Sequence, residues 1–156
     1  MCDIKKVALV TGASRGIGKA IALQLANDGF IVIGSATSES GAEAITAYLK
    51  EFGGRGIKLN VNETTDIDTV VADIAAKNGD IAILVNNAGI TKDNLLMRMK
   101  EQDWDDVLDT NLKSIFLLVK ATIRGMTKAR GGRIINGASV VGVIRNTGQV
   151  NYSAAK

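Results

Sequence analysis

Histidine and proline are absent from the 156 residues, cysteine occurs once, aromatic residues make up 4%, and no apolar run exceeds five residues. Without an imidazole, Ser-His-Asp and Cys-His nucleophilic chemistry and histidine-ligated metals are excluded. Proton transfer must use other side chains. The lone Cys2 cannot close an intramolecular disulfide or build a cysteine metal cage, which points to a reducing, cytoplasmic compartment. The first apolar run, Val7 to Val10, is too short for the roughly 7 to 15 residues of a signal-peptide core, and a membrane span needs about 20. No membrane association is expected, and the glycosylation sequons at Asn62 and Asn151 read as chance. Nineteen Lys/Arg against 16 Asp/Glu give a net charge of +3, scattered along the chain and with few aromatics to stack on bases. Nucleic acid is therefore not the expected partner, whereas a small anionic ligand suits the balance.

What is present is an alternation of short apolar runs and amphipathic stretches. Strands are predicted at 7–10, 30–33, 57–61, 81–85 and 133–138, and helices at 17–26, 40–52, 66–77 and 101–128, with a further helix beginning near Asn151. The middle of the long helix, 115–119, is apolar on all sides and must be covered by more than its own sheet. Strand and helix alternate without linker or repeat, so one domain with a parallel sheet covered on both faces is expected.

The turn after the first strand reads Thr11-Gly12-Ala13-Ser14-Arg15-Gly16-Ile17-Gly18. It contains a Gly-x-Ser-x-Gly elbow, which the missing histidine eliminates. A Walker loop fails as well, because Ala20 follows Gly18-Lys19 and position 13 is alanine. The remaining readings are a plain turn or a dinucleotide loop, whose glycines let the backbone approach a pyrophosphate at the helix N-terminus. The second strand runs out through Gly34-Ser35-Ala36-Thr37-Ser38 with no acid before Glu39. An acid there would accept from the ribose of NAD, so its lack together with Arg15 favours NADPH. The plainer alternatives are a solvated Arg15 and a Thr37 that caps a helix. Tyr152 and Lys156 stand four apart on one helix face, where the ammonium favours the phenolate and makes tyrosine a usable acid. That spacing alone is also what any two helix neighbours show. Ser139 follows the fifth strand, where ligands of open α/β sheets gather.

In order and spacing, Thr11-Gly12-x-x-x-Gly16-x-Gly18, Asn86-Asn87-Ala88-Gly89, Asn111, Ser139 and Tyr152-x-x-x-Lys156 resemble the short-chain dehydrogenase/reductase family over the whole chain. The stretches 90–100, 132–135 and 148–152 are most similar to its bacterial branch that reduces 3-oxoacyl groups on acyl carrier protein in fatty-acid synthesis. The resemblance implies a Rossmann-type doubly wound α/β fold of strand order 3-2-1-4-5. It implies a single NADP-binding domain over 1–156 that lacks the family's C-terminal strands, roughly the last third of a family chain. NADPH would be held by Gly12, Ser14, Arg15, Gly16, Ile17, Gly18, Thr37, Asn60, Val61, Asn87, Ala88 and Gly89, with Tyr152 and Lys156 at its nicotinamide end. Tyr152 would protonate the developing alkoxide, Lys156 would hold the ribose and assist the tyrosine, and Ser139 would fix the substrate carbonyl. Asn111 would support a relay water through the long helix. Arg130 matches a carrier-docking arginine, and the long helix implies a homotetramer. No metal is implied.

Three residues depart from the family pattern. Ala82 replaces an aspartate, which on this reading weakens the adenine pocket, and Arg145 and Thr147 replace glycine and proline after Ser139, where Arg145 narrows substrate access. Two alternatives remain: another short-chain ketone or alcohol oxidoreductase, or a non-catalytic nucleotide-binding remnant. The second follows from the shortness of 151–156, which would fray unless tertiary contacts held it.

Overall fold

A strand that is apolar at every position must be covered on both faces. In the computed structural model, which describes residues 5–156, β1 (Val7–Val10) meets that demand; Cys2 lies outside the described residues. β1 pairs in parallel with β2 (Ile31–Ala36) and β4 (Ile81–Asn86); β3 (Arg55–Lys58) and β5 (Arg133–Asn136) complete a sheet of order β3-β2-β1-β4-β5. The expected doubly wound α/β architecture is present.

Alternation along the strands sorts the core into two layers. Val7 and Leu9 of β1 pack with Ile67, Val70 and Ile74 of α3 (Thr64–Asn78) and with Leu118 and Met126 further on. Ala8 and Val10 pack on the other face with Ala22 and Ala26 of α1 (Gly16–Asn27) and with Ile45 and Leu49 of α2 (Glu39–Leu49). α2 is capped by Ser38, whose Oγ accepts from the Gly41 N–H at 3.1 Å, so Thr37 is not the cap.

The expected long helix runs from Glu101 to Lys128 without interruption but widens in its middle. α4 (Glu101–Leu108) passes into a π-helical turn (Asp109–Lys113) and then α5 (Ser114–Lys128). The buried Asn111 side chain donates to the Val107 carbonyl at 2.9 Å, a competing partner that accompanies the widened ladder. α5 turns Leu118 and Met126 to the sheet and leaves Phe116 62% exposed, with Leu112 and Ile123 also outward. Two short helices end the chain, α6 (Val141–Ile144) and α7 (Val150–Ala155).

Several boundaries differ from the sequence expectation. β2 continues through Gly34, Ser35 and Ala36, which look like a turn but pair with Gly56, Ile57 and Lys58. They are small because α2 presses on them: a methyl group at Gly34 would stand 2.7 Å from Ile45 Cγ2. β3 starts two residues early, since Gly56 likewise lies under the Ala42 carbonyl. β5 ends at Asn136, although Gly137 still donates to the Asn86 carbonyl at 2.8 Å. α6 and a 3-10 turn (Leu96–Arg98) were not expected. Arg145, after α6, has φ 65 and ψ 162, a region that glycine alone occupies without strain. Its replacement of glycine therefore acts on the backbone, in addition to any bulk at the surface.

Candidate active site

The first loop is tied down by the loop after β4. Thr11 Oγ1 donates to the Val85 carbonyl at 3.3 Å and accepts from the Asn87 and Ala88 N–H groups at 3.0 and 2.9 Å. Asn87 Nδ2 answers by donating to the Thr11 and Gly12 carbonyls at 3.0 and 3.2 Å. Ala13 is held through its N–H to Ser35 and through its carbonyl, which accepts from Tyr48 Oη at 2.6 Å; burial pushes that phenol up to about 12. The backbone then turns at Gly16, φ +56, into α1, which has neither a side-chain cap nor an acid in its first turn. Such an end presents free N–H groups and the positive dipole to an anion. Gly18 seals the arrangement: a methyl group there would run into the Gly12 carbonyl and stand 2.5 Å from Asn87 Nδ2.

A cleft of about 420 Å³ opens over this loop at the carboxyl ends of β1, β2 and β4. Of the residues expected to hold the cofactor, Gly12, Ser14, Arg15, Gly16, Ile17, Gly18, Thr37, Val61, Asn87, Ala88 and Gly89 line it, and Tyr152 and Lys156 stand outside its lining. Asn60 does not line it either. Its N–H donates to Asp66 Oδ2 at 2.6 Å and its Oδ1 accepts from Asn62 N–H, and Leu59 forms the wall in its place. Ser35, Ala36, Ile90 and Thr110 also line the cleft and were missed; the first two look like a turn but end β2, and the π turn places Thr110. Glu39 lies in the first turn of α2, 3.8 Å from Lys58 Nζ, and is not part of the wall. An uncapped helix end, a close-packed glycine and Arg15 without a facing acid fit a dinucleotide.

Ala82 is far from this cleft. It is the extra residue where the β1–β4 register steps from Val7–Ile81 to Ala8–Ile83, and it lines a second cleft, of about 630 Å³, at the amino ends of the strands. Its replacement of aspartate therefore does not bear on the adenine pocket. Lys5, Lys6, Arg130 and Arg133 line the same opposite cleft. Arg130 thus stands at the other end of the sheet from the glycine loop.

Lys156 and Asn111 stand beside Gly89. Lys156 Nζ donates to the Gly137 carbonyl at 2.7 Å, and a methyl group on Gly89 would stand 3.6 Å from it. The amine thus reaches the carboxyl ends of β4 and β5, next to a residue of the cleft wall. Burial pulls the Lys156 amine down from its ordinary 10.5. Its Nζ is 5.8 Å from the centre of the Tyr152 ring. Ser139 Oγ accepts from the Val141 N–H at 3.3 Å. Asn111 brackets one residue: its Nδ2 donates to the Ile90 carbonyl at 2.8 Å and its Oδ1 accepts from the Ile90 N–H at 3.1 Å. The side chain is thereby fully committed to backbone.

Residues 151–156 have the tertiary contacts that so short a helix requires. Asn151 is fully buried, Ala155 is 6% exposed, and Gly148 accepts from the Asn94 N–H at 2.9 Å. Burial of Asn151 also removes its sequon from reach. Among the described residues no group of three or more His, Cys, Asp or Glu could hold a metal, and no helix is long and apolar enough to cross a membrane.

Comparison with known proteins agrees with this geometry. The chain is 62% identical over 151 residues to the 3-oxoacyl-[acyl-carrier-protein] reductase FabG of Vibrio cholerae, and 58% identical over 151 residues to that of Escherichia coli strain K12. It is 58% identical over 153 residues to the corresponding protein of Pseudomonas aeruginosa. In each case 97% of this chain is covered, and it spans 62% of the relative's length. The family described as short chain dehydrogenase matches residues 6–156, and the chain belongs to that family.

Proposed function

We propose that the chain carries the cofactor-binding and catalytic residues of a cytoplasmic, NADPH-dependent 3-oxoacyl-[acyl-carrier-protein] reductase of fatty-acid synthesis. The observation that carries the reading is the meeting of its two halves: Lys156 Nζ stands against Gly137 and Gly89, at the edge of the cleft built by the glycine loop. Identities of 62% and 58% to reductases of that name support the substrate class. When bound, NADPH supplies the hydride for the 3-keto carbon. The N–H groups at the start of α1 would hold its pyrophosphate, and Arg15 and Thr37, which line the same cleft, would take its 2′-phosphate. Ser139 orients the keto oxygen, Tyr152 donates the proton to it, and Lys156 holds the ribose and supports the tyrosine. With its side chain committed to Ile90, Asn111 acts on a relay water through the backbone of the π turn. The test follows NADPH absorbance with 3-oxoacyl carrier protein and with simple ketones. Turnover of the first is expected; turnover of ketones alone transfers the reading to another oxidoreductase, and turnover of neither overturns it.

Arg15→Ala is expected to weaken NADPH binding and leave NADH binding unchanged, because only the former presents a phosphate to the guanidinium. A lost hydrogen bond to a charged group of about 1.5 to 3 kcal/mol corresponds to roughly 10- to 100-fold in affinity. Fluorescence titration with both cofactors checks it, and an equal loss for the two would remove the assigned role.

The outward face of the π turn and α5, Leu112, Phe116 and Ile123, serves as a homo-oligomer interface in this proposal, with a tetramer as the expected assembly. Phe116→Glu is expected to shift the sedimenting species to a smaller one; an unchanged sedimentation coefficient argues against that face. Acyl carrier protein remains the proposed partner, but Arg130 lies at the opposite end of the sheet from Lys156 and is not proposed to dock it at this chain's own site.

A further inference from the structure

A six-residue helix does not hold itself in place. Both ends of the α7 problem meet at Asn151, which is fully buried while Tyr152 beside it is half-buried. Asn151 Nδ2 donates to the Lys92 carbonyl at 3.0 Å and to the Asp103 carbonyl at 3.3 Å. Its Oδ1 accepts from the Tyr152 N–H at 2.8 Å, one of the donors left without a helical partner at the start of α7. The carbonyls it grips belong to braced segments. Lys92 Nζ pairs with Asp106 at 2.5 Å and with Asp103 at 3.6 Å, binding the two segments to each other. Two residues before Lys92, Ile90 is bracketed by Asn111. A fully satisfied buried amide of this kind specifies one arrangement of the elements it joins, which an apolar side chain of the same size would not do.

We propose that Asn151 is a positioning residue for Tyr152, setting the seat of α7 on the Lys92 and Asp103 carbonyls and thereby the place where the phenol meets its substrate. The inference rests on the reading of Tyr152 as the proton donor. The outer tether, Gln149 Nε2 to the Asp93 carboxylate at 3.1 and 3.2 Å, is exposed and does not set that place.

The test compares wild type, Asn151→Ala, Asn151→Asp and Asp93→Ala in steady-state NADPH oxidation with 3-oxoacyl carrier protein, NADPH fluorescence titration and thermal unfolding. Asn151→Asp keeps the size and the acceptor for the Tyr152 N–H but sets a carboxylate oxygen against two carbonyls. For at least one folded Asn151 variant kcat is expected to fall by about 100-fold, the scale of a 1 Å misplacement, with KM and the NADPH Kd unchanged. The solvent deuterium isotope effect on kcat is expected to rise, because the displaced phenol makes proton transfer slower. Asp93→Ala is expected to retain wild-type kcat. Asn151 variants with wild-type kcat, a parallel loss of kcat and cofactor binding, or failure of both variants to fold would each overturn the positioning role. Wild-type protein without turnover would instead overturn the functional reading, and the positioning role with it.

Discussion

Tyr152→Phe is expected to lower kcat by about 10²- to 10⁴-fold, the usual contribution of a positioned general acid, while NADPH binding survives. The structure favours so clean a separation. Tyr152 contributes its N–H to Asn151 and its carbonyl to the Lys156 N–H, and neither bond involves the phenol oxygen. Phenylalanine therefore keeps the helix, its seat and the half-buried ring. The cleft that would hold the cofactor is lined by other loops. With no histidine in the chain, no imidazole can take over the proton. Steady-state rates beside a fluorescence titration check the expectation; a variant with more than about a tenth of wild-type kcat would mean that the proton comes from elsewhere.

The second large effect is expected at Gly18. A methyl group there overlaps the Gly12 carbonyl and crowds Asn87 Nδ2, both of which belong to the network joining the first loop to the β4 loop. Neither neighbour is the free end of a flexible side chain, so the loop itself has to move. Gly18→Ala is expected to destabilise the protein by about 1 to 3 kcal/mol and to abolish measurable NADPH binding. Gly16→Ala is a useful contrast. Nothing lies within 4 Å of its missing side chain, and its cost is the left-handed backbone alone, about 1 to 2 kcal/mol. Thermal unfolding and cofactor titration of the two variants separate steric from conformational loss. Wild-type binding in Gly18→Ala would show that the close packing is not required.

The readable part of the site is the part that local chemistry encodes. Eleven of the residues that the family resemblance implied for the cofactor line one cleft, and of these the glycine loop was also legible from its own turn composition. Asn60 stands beside that wall without lining it, because an Asp66 carboxylate claims its N–H. Ala82 stands at the start of β4 as the strand pattern implied, and it is the distance from there to the glycine-loop cleft that removes it from the adenine pocket. Asn151 looked like a sequon and proved to be the buried hold of α7, a role decided by carbonyls 48 and 59 residues away. The π turn within the long helix had no glycine or proline to announce it; a buried asparagine reaching Ile90 accompanies it.

By itself the sequence determined the alternation of elements, the doubly wound sheet and the types of residue that could carry proton transfer without histidine. Each of those follows from hydrophobic period, turn composition and the chemistry of single side chains. Only the tertiary structure decided that Thr11 and Asn87 close the glycine loop across 76 positions, that Asn111 grips Ile90, and that Lys156 reaches Gly137 beside the cleft. Those pairings join side chains to particular backbone atoms of distant segments. They exist once the sheet has stacked its strands, and no local pattern carries them.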